Sequence, residues 1–290
     1  MTAKINAAES IRGLACLAVV FSHLAMSFFP FLHHFDPTET TDLNWVYQVH
    51  HLPLGFLYSG DAAVFVFFVL SGYVLSYAIL KKPEQFQSRL KSMMVKRYPR
   101  LMIPALTSCL IIWATLSIID IDSRHVGLWL QAFAQQDFSF KTALYEGTIG
   151  AFLFSDSNIN WVLWTMTIEL MGSFVLFFLL VLYQWKHGVF WLGSVLVLVL
   201  AYMWRGQGFC MGIASFVIGI YIYLYAKQLS ACFAVLLLIL GLYLAGAHNT
   251  SQAYSWLYAL WGEHTYDFSN FLAGPIIVYS VLMSPLLSKG

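Results

Sequence analysis

Two ionisable side chains fall well inside the apolar stretches of this 290-residue chain: His23, at the end of "IRGLACLAVVFSH", and Glu169, in "NWVLWTMTIELMGS". An imidazole is suited to moving a proton at physiological pH, and a nearby carboxylate can orient the ring, stabilise its protonated form or bind a hydroxyl group. Ionisable groups inside a membrane span cost a few kcal/mol, roughly 3 on insertion scales, so each is a functional candidate. The structural alternative has His23 bonded to a neighbouring helix and Glu169 protonated, joining helices within a bundle.

Spacing brings the two together. Arg12 and His23 are eleven positions apart; at about 100° and 1.5 Å per residue they share one helical face, roughly 16 Å apart along the axis. With Arg12 at the inner end of one span and Trp161 at the outer end of another, His23 lies roughly 16 Å from the inner surface. Glu169 lies about 12 Å from the outer surface, hence roughly 18 Å from the inner one. The expectation is one depth and one polar cavity.

The elements that hold these residues follow from composition. The chain is 60% hydrophobic and only 10% charged, against about 25% charged in soluble domains, which makes it a membrane protein. A net charge of +1 gives no electrostatic footprint for a nucleic acid. Cys16, Cys109, Cys210 and Cys232 form no CxxC pair, so neither a disulfide framework nor a zinc site is indicated.

Segments near 10–30, 61–80, 101–121, 161–184, 188–204, 209–226, 231–247 and 269–287 have the length a helix needs to cross a bilayer. They predict an all-α polytopic transmembrane bundle of about eight spans, with residues 1–290 as a single domain. The first apolar run reads as a retained helix, since it lacks a convincing cleavage site. The pair flanking Arg205 could instead form one re-entrant hairpin.

Lysine and arginine set the orientation. With the N-terminus in the cytoplasm, the inner side receives Lys4, Arg12, Lys186, Lys227 and Lys289, together with Lys81, Lys82, Arg89, Lys91, Lys96, Arg97 and Arg100 of the loop 81–100; the outer side keeps Arg124, Lys141 and Arg205. Three sizeable outer loops result, at 31–60, 122–160 and 248–268. In the inner loop, "KRYPRLMIP" places Lys96, Arg97 and Arg100 just before the third span, where Pro99 and Pro104 break the helix and could fix the arginines in an ordered turn. The charges either keep the loop inside beside lipid phosphates or grip a phosphorylated ligand with guanidinium forks.

Other candidates carry less. His33, His34, His50 and His51, with Asp36 nearby, lack HxxxH or HExxH spacing, and no metal is expected. The "NTS" at Asn249 is a short sequon. Trp161, Trp164 and Tyr58 fall near membrane interfaces, where aromatic belts are common.

Four stretches in order resemble the integral-membrane acyltransferase 3 family of bacterial O-acyltransferases. "ESIRGLACLAVVFSH" is similar to the family's first helix, "GDAAVFVFFVLSGYVLS" to its second, "KRYPRLMIP" to its R-x-x-R motif and "WTMTIE" to its W-[ST]-x-x-x-E signature. The match is clear over residues 8–175 and rests on hydropathy beyond them. Many members carry an aspartate where this chain has Phe65. The family usually has about ten spans, and the sequence ends at "SPLLSKG", about where a late conserved segment would begin; a shortened member or a truncated product is expected.

The resemblance implies a bacterial cytoplasmic (inner) membrane enzyme. It would move an acyl group, most simply acetyl from acetyl-CoA, to a hydroxyl of a cell-surface glycan or lipid-linked sugar. Arg97 and Arg100, helped by Arg12, would hold the acyl-CoA; His23 would be general base or acyl relay; Glu169 would orient His23 or the acceptor; Trp164 would contact the acceptor. The rivals are a proton-coupled transporter using His23 and Glu169 as a relay, against which the lack of inverted repeats counts, and an inactive relative.

Overall fold

The computed structural model describes residues 2–119, 122–124 and 126–286, with side chains from residue 6 onward. Lys289 and the ends of two expected spans (120, 121 and 287) lie outside the described residues, as does the side chain of Lys4. Among the described residues all regular structure is helical. In chain order the α-helices are α1 (Thr2–Phe28), α2 (Asn44–His51), α3 (Gly60–Leu80), α4 (Phe86–Ile118), α5 (Leu128–Ala134), α6 (Phe140–Tyr145), α7 (Thr165–Trp185), α8 (His187–Tyr225), α9 (Ala231–Ala245), α10 (Ser255–Trp261) and α11 (Thr265–Leu282).

Five helical stretches among the described residues are long and apolar enough to cross a membrane: Asn6–Phe28, Gly60–Leu80, Pro83–Ile118, Trp161–Trp185 and His187–Tyr225. The eight expected segments all fall on helices, but they do not make eight such stretches. Two are halves of α8, α9 has 15 residues, and α11 opens on the polar run Thr265–Asn270. The chain is thus an all-helical, multi-pass membrane protein.

It divides into two compact units, one of Met1–Ser71, Val126–Trp129 and Ile218–Gly290, the other of Gly72–His125 and Leu130–Val217. In the first, α1 buries a stripe of small residues, Ala8, Ala15, Ser22 and Ala25, together with Ile11; short side chains let helices approach closely where lipid offers no hydrophobic drive. One close helix approach is at Gly274 on α11, where an added Cβ would sit 2.8 Å from the Phe65 side chain and 2.9 Å from its backbone. Phe65 also meets the Phe271 ring at 5.6 Å. Phe65 is therefore spent on helix packing.

An apolar groove of about 580 Å³ runs along α1, lined by Ala7, Ile11, Leu14, Ala18 and Phe21 and by Leu238, Leu242 and Ile277. Leu14 and Phe21 are half a turn, about 180–200°, from His23 on the helical wheel, so the groove and the Arg12–His23 face are on opposite sides of α1.

The second unit corrects the reading of the basic segment. The helix does not break at Pro99 or Pro104: α4 is 33 residues long with both prolines inside it, and at about 1.5 Å per residue it spans roughly 50 Å. Each proline removes one backbone donor, but the flanking turns remain helical. Most of the expected inner loop is thus helix, and Arg97 and Arg100 project from it.

Within α8, Gly206 has φ 77° and ψ −164°, a conformation essentially confined to glycine. The Cys210 thiol donates to the Leu198 carbonyl at 3.4 Å, although twelve residues of straight helix would hold them about 18 Å apart. The chain doubles back at Gly206, as a helical hairpin would. Arg205, beside the bend, donates to the Leu153 carbonyl at 2.8 Å and the Ser155 hydroxyl at 2.9 Å. It thereby closes the C-terminal end of a nine-residue π-helix, Glu146–Phe154.

Candidate active site

The α1 helix runs unbroken from Thr2 to Phe28, so Arg12 and His23 share a face as their spacing requires. His23 is half-buried. Its Nδ1 lies 2.8 Å from the Val19 carbonyl oxygen, and since a carbonyl only accepts, Nδ1 carries the proton. In the neutral ring the lone pair then belongs to Nε2. The imidazole meets the Trp129 ring edge-on at 5.7 Å, within a short segment that the Gly127 amide ties to the Ser27 carbonyl at 2.6 Å. Arg12, at the other end of this face, is paired with Glu9 at 2.7 Å.

Next to His23, Ser22 is buried against the start of α3, where an added Cβ on Gly60 would lie 2.8 Å from the Ser22 hydroxyl. The carbonyl of Ser22 accepts from Nε2 of His33 at 3.2 Å. His33 is 2% exposed, and its Nδ1 is buried with no hydrogen-bond partner. Burial lowers its pKa to about 4, which keeps the ring neutral. His50 is held by the Leu32 carbonyl at 2.9 Å and the Thr250 hydroxyl at 3.0 Å, so both its nitrogens are occupied. His33 and His248 meet at 5.5 Å between centroids, and His50 and His248 at 5.9 Å. His33 and His50 thus form a buried aromatic cluster with His248; burial lowers the pKa of His50 and His248 as well.

In the second unit Glu169 is not a lone carboxylate. Its Oε1 accepts from Arg97 Nη2, and Arg97 Nε donates to the Ser173 hydroxyl at 2.7 Å. The Ser173 hydroxyl donates in turn to the Glu169 carbonyl at 2.6 Å. Both charged side chains are largely buried, 15% and 13% exposed, a setting in which an ion pair offsets its desolvation only with close geometry and further hydrogen bonds. This places Arg97 at the level of Glu169 rather than in a loop ahead of the span. Arg100 and Lys96 are exposed. Trp164 is exposed at the end of a 3-10 turn, Trp161–Trp164, capped by the Asn160 side chain.

A family model described as an acyltransferase domain, acyltransferase 3, matches residues 5–290, essentially the whole chain. The chain belongs to the acyltransferase 3 family. Comparison with curated proteins and with solved structures gives no match. The protein is accordingly a membrane acyltransferase, with His23 and its neighbours in one unit and the Arg97–Glu169–Ser173 cluster in the other.

Reading by residue type passed over several members of these clusters. Ser173 stands four residues after Glu169, so the i,i+4 rule for one helical face marks it as a neighbour. Asp61 opens α3 and is hydrogen-bonded to Tyr266; lying at the edge of its span, it escaped a search for charges well inside. Glu146 is 2% exposed and accepts from the Asn158 amide at 2.8 Å and the Ile159 backbone amide at 2.9 Å. Nothing in its local sequence signals this burial.

Proposed function

We propose that this acyltransferase moves an acyl group, acetyl in the simplest case, from cytoplasmic acyl-CoA to a hydroxyl of a cell-surface glycan or lipid-linked sugar. Its setting would be the bacterial inner membrane, with eight crossings and the N-terminus inside. The observation that carries this reading is the hydrogen bond between His23 Nδ1 and the Val19 carbonyl. It leaves Nε2 as the basic nitrogen on a helix of an acyltransferase family member.

In this reading Nε2 takes the acceptor's hydroxyl proton as the oxygen attacks the thioester carbonyl. The C–S bond then breaks, and the coenzyme A thiolate recovers that proton from the imidazolium. If His23 is instead an acyl relay, Nε2 attacks the thioester first, the C–S bond breaks and coenzyme A leaves as its thiolate; the acceptor oxygen then displaces the acyl group from the ring as the C–N bond breaks, and the acceptor's proton passes to the thiolate. The exposed Arg100 and Lys96 suit the phosphates of the donor, with Arg12 assisting. Arg97, its charge matched by Glu169, suits a fixed polar wall between donor and acceptor. Glu169 would position the acceptor, and exposed Trp164 would pack against the sugar.

The test is transfer of labelled acetyl from acetyl-CoA by the purified protein, beside His23→Ala. Transfer by the wild type and its loss in the variant are expected. Wild-type solute uptake without transfer would favour a carrier and overturn the reading. Recovery of label on the protein when acceptor is withheld, absent in His23→Ala, marks the relay; no such label marks the base.

A further inference from the structure

A base that takes up a proton becomes a cation, and in a poorly hydrated site that cation needs a counter-charge. In its own unit Asp61 lies within electrostatic range of His23. The geometry follows from the helix contact already described. Gly60 abuts Ser22, so the next residue of α3 stands beside the residue that follows Ser22 on α1. Asp61 is not left to swing freely, because the Tyr266 hydroxyl at the start of α11 is hydrogen-bonded to it.

We propose that Asp61, tethered by Tyr266, is a positioning residue for His23, its carboxylate stabilising the imidazolium that forms when Nε2 takes the acceptor's proton. The proposal rests on the reading of His23 as the base. The other groups near this pair are His33, which faces His23 from the segment after α1, and Asp267, which faces Asp61 from α11. His33 is held neutral by burial, so it adds no competing positive charge near neutral pH. Asp267, being exposed, is screened by solvent.

The plain alternative is that Asp61 merely complements the positive end of the α3 dipole. The two differ in what happens at His23. Nitrogen-15 NMR of histidine-labelled protein in nanodiscs, with the His23 signal identified by its loss in His23→Gln, follows ring protonation without any need for catalysis. Asp61→Asn is expected to move the midpoint of His23 protonation down by about one pH unit, and Tyr266→Phe to move it the same way by less. An unchanged midpoint in a folded Asp61→Asn protein overturns the proposal.

If Asp61→Asn does not fold, Tyr266→Phe and Asp61→Glu are read instead. The expected result is then a lowered midpoint in the first and a preserved one in the second, and an unmoved midpoint in Tyr266→Phe overturns the proposal. In transfer assays the acid limb of the rate profile is expected to move to lower pH, because the ring sheds its proton more readily, while turnover falls about tenfold. Lack of transfer by the wild type would refute the functional reading alone, since the NMR titration still decides whether Asp61 supports the ring.

Discussion

Arg97 and Glu169 form an ion pair between α4 and α7, and the Ser173 hydroxyl takes up the guanidinium Nε. Neither residue's job can therefore be assigned without the other. Removing one partner leaves a desolvated charge, whereas removing both leaves only a packing problem. Arg97→Ala or Glu169→Ala is expected to lower stability by about 3 kcal/mol, and Arg97→Met/Glu169→Leu by clearly less than the sum of the singles. Thermal unfolding in one detergent, arranged as a double-mutant cycle, checks this.

The histidine cluster makes a pH prediction. His33 has its pKa lowered to about 4 in the fold, against about 6.5 in an unfolded chain. Between those values the unfolded chain binds a proton that the native ring refuses, so stability falls as pH drops through this window and is unaffected above it. The slope is about 1.4 kcal/mol per pH unit where the difference is fullest. His50 and His248, lowered by the same burial, act in the same direction. Melting temperature is expected to decline from pH 7 to pH 5, and His33→Gln to decline less steeply.

At Gly206 an added Cβ meets open space, so a substitution there is opposed only by the backbone. Gly206→Ala is expected to cost roughly 1–3 kcal/mol, while Gly208→Ala, also in open space and without a positive φ, is expected to cost little. Thermal stability of the pair separates conformational strain from crowding.

Phe65 packs against Phe271 and Gly274. Phe65→Asp places an unpaired carboxylate in that contact, with an expected loss on the order of 3 kcal/mol. Near-wild-type unfolding would mean that α3 and α11 can admit a charge there.

Much of the helical architecture was legible because apolar runs of membrane length have few alternatives. The boundaries were less so: α4 continues through Pro99 and Pro104 because helix propensity is a local rule, and neighbouring turns held by packing outlast two missing donors. His23 and Glu169 stood out as charges in apolar surroundings. The partner of Glu169 did not, because Arg97 lies 72 residues away, and neither did the Asp61–Tyr266 pair, which is more than 200 residues apart. Spacing along one helix finds Ser173; no spacing rule finds a residue on another helix. His33 and His50 read as possible ligands by type, and only the course of the chain reveals which of their nitrogens are already taken.

The trough along α1 has a practical outcome. A detergent tail lodged there meets mostly hydrocarbon, with Ser10 and Ser59 as polar points, on the side of the helix turned away from Arg12 and His23. Solubilisation can fill it without crowding the His23 ring, so a surfactant's chain length is felt at the groove before it is felt at the imidazole.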